Sequence, residues 1–214
     1  MNKNVWKKVF PITLSAAILF GGMSAVHVAE FQALTASVAE ASPSKAWNFS
    51  KDIGAWQYSG NWEYSAADPE VAYDRSFGGS LKLPVDFTTD AQKSWSEVKI
   101  TDGAINGTKP LVLSGQNMLS YDFYFTSDAM SSGSFKTKVY MKSIDGKEVV
   151  NAAPDIDLSK AVEVKGTNYK KVAVQVPFEA VDAKVNYMEL SLVGSNNNYK
   201  GDVFINNINI SKEK

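Results

Sequence analysis

The sequence predicts an all-β fold, an antiparallel two-sheet β-sandwich of the jelly-roll kind, and three observations carry that expectation. Short runs in which apolar and polar residues alternate succeed one another from Trp47 to Ile210, the period of half-buried strands. Gly, Asn, Asp and Ser punctuate the runs where turns are needed. No stretch repeats its apolar residues at helical spacing, and the roughly nine or ten strands that remain suit two packed sheets.

The first 41 residues differ in kind. Lys3, Lys7 and Lys8 precede an apolar run from Val9 to Ala29, which reads as a signal peptide with cleavage after Ala29 or near Ala39 to Ala41. A membrane-spanning anchor is the alternative, disfavoured by the small residues around Gly21 and Gly22 and by the lack of a basic stop. Residues 1–41 are therefore expected to be a signal peptide and leader, residues 42–214 a single folded module, and the protein secreted, extracellular and monomeric.

Composition narrows the chemistry. Lys+Arg falls from 22 to 19 and Asp+Glu from 23 to 21 without residues 1–41, a net charge of −2. No basic stripe exists to neutralise phosphates, so neither nucleic acid nor an anionic membrane is an expected partner. There is no cysteine, which removes disulfides and thiolate metal sites and leaves packing, helped at most by an oxygen-ligated ion. The one histidine, His27, lies in the expected signal. Imidazole-dependent reactions, Ser-His-Asp hydrolysis among them, are thereby excluded.

The strands follow in order. Trp47 to Phe49 is the first, and Lys51-Asp52 suits one helical turn. Trp56, beside Ala55 and Gln57 and ahead of a Ser59-Gly60 turn, belongs at a loop or strand edge. In Asn61 to Ser65 the rings of Trp62 and Tyr64 share one side, the pattern of core residues. Pro69 to Tyr73 is a further strand, and Phe77-Gly78-Gly79-Ser80 turns into Leu81, Leu83, Val85 and Phe87, which alternate strictly. Gln92 to Thr101 places Trp95, Glu97 and Lys99 on one side and Ser96, Val98 and Ile100 on the other. After the Asn106-Gly107 turn, Tyr121, Phe123 and Phe125 face inward. Ser134 to Lys142 sets Tyr140 among Lys136, Lys138 and Lys142, opposite Phe135, Thr137, Val139 and Met141. Residues 150–168 are expected to be loop with a short strand near Val162. Lys171 to Pro177, Tyr187 to Val193 and Asp202 to Ile210 complete the set.

Two aromatics in this pattern stand on the charged side of their strands. Trp95 does not share a face with Val98 and Ile100, so its ring meets either a covering loop or a ligand. Tyr140 repeats the anomaly. Flat rings beside carboxylates, amides and lysines are the chemistry of sugar binding, since rings stack on pyranose C–H faces while the polar groups bond the hydroxyls. Trp56, Trp95 and Tyr140, with Gln57, Glu97 and Lys99, form the candidate carbohydrate-binding set. Glycoside hydrolysis stays open as the alternative, with Glu63, Glu97, Asp122 and Glu189 as strand-borne carboxylates. An adhesion or interaction domain is a third reading.

The runs W-Q-Y-S-G-N-W at 56–62, G-G-S-L-K-L at 78–83, S-W-S-E-V-K-I at 94–100, L-S-Y-D-F-Y-F at 119–125 and L-V-G-S-N-N-N-Y-K-G-D-V-F-I-N-N-I at 192–208 resemble carbohydrate-binding module family 27. These are mannan-binding jelly rolls, galactose-binding-like in fold, attached to bacterial β-mannanases, and the resemblance covers nearly all of residues 45–212. It implies a non-catalytic module that holds β-1,4-mannan, mannooligosaccharides or glucomannan against tryptophans in a concave cleft. Trp95 matches one stacking tryptophan through its W-x-E-V frame, and Trp56 matches another. A third tryptophan is expected mid-module, where Tyr140 is the nearest substitute. The resemblance also implies a structural calcium away from the sugar, with Asn48 and Asn206 where acidic ligands are usual. No catalytic domain is present in cis, so a fragment of a mannanase or a stand-alone binder is expected.

Overall fold

A computed structural model describes residues 45–213; the expected signal and leader lie outside the described residues. Eleven strands appear there: β1 Lys45–Trp47, β2 Trp56–Trp62, β3 Ala72–Asp74, β4 Ser80–Asp86, β5 Ser96–Asp102, β6 Leu111–Thr126, β7 Ser134–Ser143, β8 Glu148–Ala152, β9 Val162–Glu163, β10 Tyr169–Ser195 and β11 Lys200–Ser211. All their pairings are antiparallel. The helical pieces among the described residues are three-residue 3-10 turns.

One strand joins the two layers. The first part of β10 pairs with β6 from Tyr169 opposite Thr126 to Val185 opposite Leu111, and the layer continues through β11 and β4 to β3. Its last part is flanked by β7 on one side and β5 on the other, with Leu190 opposite both Val139 and Ile100; β8 and β2 extend this second layer outward. The expected segments at Lys171 to Pro177 and Tyr187 to Val193 are thus two ends of one 27-residue strand. Register shifts between Pro177 and Asp182 and between Val185 and Tyr187 let it bend, as inserted residues do. The sandwich is one antiparallel sheet curled onto itself.

Alternation fills the space between the layers. Leu81, Leu83, Phe123, Val203 and Ile205 from one side meet Val98, Ile100, Val139, Met141 and Leu190 from the other in a single buried cluster. Phe135 lies at its centre, edge-on to Phe87, Phe123, Phe125 and Tyr199 with ring centroids 5.2 to 6.3 Å apart. Each such ring or aliphatic chain contributes about 1.5–3 kcal/mol by leaving water.

Two expectations for β2 are corrected. Ser59-Gly60 is a bulge inside the strand rather than a turn: Gly60 has φ 131, and the register with β5 slips between Tyr58 and Gly60. An extra residue reverses every later side chain, so Trp62 points outward and is 59% exposed. Glu63, at φ 54, then swings the chain so that Tyr64 returns to the core. Trp56, on the near side of the bulge, faces inward. It is 3% exposed and packs edge-on against Trp47 at 5.6 Å and Phe49 at 6.3 Å. A ring so enclosed has no free face for a sugar.

Candidate functional site

The outward face of the second layer is built in rows set by strand register. Trp62, Glu97, Val193 and Lys136 stand side by side across β2, β5, β10 and β7. Lys99, Ser191 and Lys138 form the next row, with Gly60 leaving space at its end. Gln57, Thr101, Glu189, Tyr140 and Asn151 form the third, and Tyr187 opposite Lys142 the fourth. Trp95, just before β5, adjoins the first row. The face therefore gathers Trp95, Glu97, Lys99, Tyr140 and Gln57 from the sequence-derived set, leaves out Trp56, and adds Trp62, Tyr187, Ser191 and Lys138.

Hydrogen bonds hold these groups. The half-buried Trp95 donates its Nε1–H to Glu97 Oε2 at 2.9 Å. The other oxygen, Glu97 Oε1, accepts from Ser191 Oγ at 2.7 Å and lies 3.7 Å from Lys138 Nζ. Two rows along, Tyr187 donates its hydroxyl to Glu189 Oε2 at 2.7 Å, while Glu189 Oε1 lies 3.7 Å from Lys99 Nζ. Burial and then that bond to Glu189 push the Tyr187 hydroxyl up to about 12, so it remains a donor at neutral pH. Tyr140 and Tyr187 meet edge-on at 6.1 Å, and Lys142 Nζ lies 5.5 and 6.0 Å from their centroids.

Asp90 ties the two tryptophan-bearing segments together. Its carboxylate accepts from Ser65 N at 2.8 Å, Ser65 Oγ at 2.6 Å and Ser96 Oγ at 2.8 Å, and pairs with Lys93 at 2.8 Å. Lys93 also donates to the carbonyl of Glu63 at 2.5 Å. The chain just after Trp62 and the chain just after Trp95 thus share one buried anchor.

This arrangement does not suit hydrolysis. Glu97 and Glu189 are 2% and 4% exposed, and the oxygens of both are occupied. Glu97 lies opposite Val193, four residues from Glu189, and each carboxylate is committed to its own aromatic donor. Asp122 belongs to the other layer, paired with Lys171 at 2.9 Å.

The residues expected at a calcium site lie elsewhere. Asn48 Oδ1 accepts from Ser50 N at 2.9 Å, and Asn206, opposite Asp122 in the first layer, accepts from Asn207 N at 2.7 Å and donates to Phe77 O at 3.2 Å. Both side-chain oxygens already serve the backbone, and the described residues hold no group of three or more acidic, His or Cys side chains. Such a donor set fits a calcium ion poorly, since carboxylate charge sets much of that affinity.

A model of the family described as carbohydrate binding module 27 matches residues 35–213. No curated protein matches the chain. Among solved structures, the fold is shared with TmCBM27, described by its specific mannan recognition, at TM-score 0.58 and 19% identity over 81% of this chain and 100% of that one. Caldicellulosiruptor saccharolyticus CBM27-1 in complex with mannohexaose superimposes at TM-score 0.62 and 17% identity, covering 81% and 99%. A module specific for non-crystalline cellulose, CBM28, gives 0.54 and 15%, covering 74% and 89%.

Proposed function

The chain belongs to carbohydrate-binding module family 27, and from that premise we propose that its aromatic face binds β-1,4-mannan, mannooligosaccharides or glucomannan without cleaving them. The observation that carries this is the first row of the second layer. An exposed Trp62 stands opposite Glu97, the carboxylate that holds the Trp95 indole, with Lys99 and Lys138 in the row behind. Flat rings supply stacking surfaces for pyranose C–H faces, and ammonium, amide and hydroxyl groups supply partners for the sugar oxygens. Recognition of mannan by TmCBM27 and of mannohexaose by the Caldicellulosiruptor module points to the same ligand class here.

Calorimetric titration with mannohexaose tests the reading directly. Saturable heat is expected from the natural chain, together with no release of reducing ends from β-mannan on long incubation. A flat titration against mannohexaose and glucomannan alike would sink the assignment. Export through the N-terminal segment and action as a monomer belong to the same proposal, since an insoluble plant polysaccharide is met outside the cell. Any calcium site is proposed to be weak, for want of carboxylates at Asn48 and Asn206.

A further inference from the structure

Two copies of one small device lie in this face. Trp95-Ser96-Glu97 and Tyr187-Met188-Glu189 each place an aromatic and a glutamate two residues apart, on the same side of the chain. The aromatic donates to one carboxylate oxygen, at 2.9 and 2.7 Å respectively. A lysine from another strand of the layer stands 3.7 Å from the other: Lys138 of β7, reaching across β10, over Glu97, and Lys99 of the adjacent β5 over Glu189. The carboxylates are buried while the rings and lysines stay partly exposed.

We infer that Glu97 and Glu189 are positioning residues of the glycan site. Each orients the ring two residues before it and a lysine across the strand, and neither bonds the sugar itself. The inference rests on the proposed mannan binding at this face. Its physical content is preorganisation: a ring and an ammonium already held by a buried anion lose less freedom when the glycan arrives. Burying each carboxylate is tolerable because its lone pairs are occupied. The layering also fixes what the glycan meets, which is donors and ring faces above and negative charge only beneath.

A double-mutant cycle on Glu97 tests this. Glu97→Gln keeps a carbonyl oxygen for Trp95 Nε1–H and turns an amide toward Ser191, whose hydroxyl can accept instead of donate. It should bind mannohexaose within about threefold of the natural chain, whereas Glu97→Leu, which offers the indole nothing, should weaken binding about tenfold. In a Trp95→Ala background Glu97→Leu should add little. The indole N–H resonance of Trp95, identified by its absence in Trp95→Phe, should stay in place in Glu97→Gln and shift in Glu97→Leu. Tyr187→Phe, which removes one hydroxyl and leaves packing intact, should weaken binding about threefold.

Additive losses from Trp95→Ala and Glu97→Leu, or Gln and Leu variants that bind equally badly while the indole resonance holds still, would mean that the carboxylate contacts the glycan and would overturn the inference. Natural affinity in Tyr187→Phe would overturn its second half. A Trp95→Ala protein that binds as tightly as the natural chain would instead remove the platform itself, and with it the proposed function.

Discussion

Three tryptophans with similar surroundings in the sequence end in three different environments. Trp95 and Trp62 flank the candidate site, and loss of either ring is expected to cost roughly 1–3 kcal/mol of mannohexaose affinity by analogy with other stacked and hot-spot rings. Their folding stability should change little. Trp56→Ala is the contrast, with an expected loss of about 3–5 kcal/mol of stability from the cavity it leaves, measured by urea unfolding; an early-unfolding Trp62→Ala would reverse the assignment of the two residues. Alternation alone made Trp95, Glu97, Lys99 and Tyr140 legible, because each stands on a regular strand or, for Trp95, directly before one, where parity decides the face. Trp62 and Trp56 were not legible, because Gly60 carries an inserted residue that resets parity between them. A glycine inside an alternating run is the one trace such a bulge leaves in a sequence. Tyr187 shared the outward parity of Glu189 and Ser191 and could have been counted from the same pattern.

At the scale of elements, the site depends on short anchors that connect segments far apart in the chain. Burial raises the Asp90 carboxyl, but Lys93, Ser65 and Ser96 outweigh it and bring its pKa down to about 2. A depressed folded-state value stabilises the fold above the unfolded pKa near 3.9, and this contribution disappears as pH falls from about 4 through 2. The contribution is on the order of 2 kcal/mol at neutral pH. Asp90→Asn should therefore be less stable at pH 7 yet differ little from the natural chain near pH 2, in urea unfolding at each pH. A constant gap would argue that the carboxylate charge is irrelevant. Asn106 is a second anchor: its amide donates to Thr101 Oγ1 at 2.6 Å and its oxygen accepts Met188 N at 2.9 Å. It sits where β10 slips register, and Asn106→Ala should cost about 1–3 kcal/mol by leaving the buried Met188 amide unpaired. Its N-G sequence spelled only a turn.

For the whole molecule, antiparallel pairing and two packed layers were readable from period and punctuation, since burial on one face imposes them on every strand. The continuity of β10 was not, because its alternation changes parity twice, between Val176 and Val181 and again between Val185 and Met188. Metal dependence is a property of the same scale. Thermal unfolding with calcium and with chelator is expected to give nearly equal midpoints, and a large upward shift with calcium would show a strong site that Asn48 and Asn206 do not explain. Because β10 belongs to both layers, peeling one layer away would tear hydrogen bonds along a strand the other still needs. The module should then have no half-unfolded state. Amide hydrogens of β5 and of β11, in opposite layers, should exchange through the same global opening, so that the glycan-binding wall can be lost only when everything behind it is lost as well.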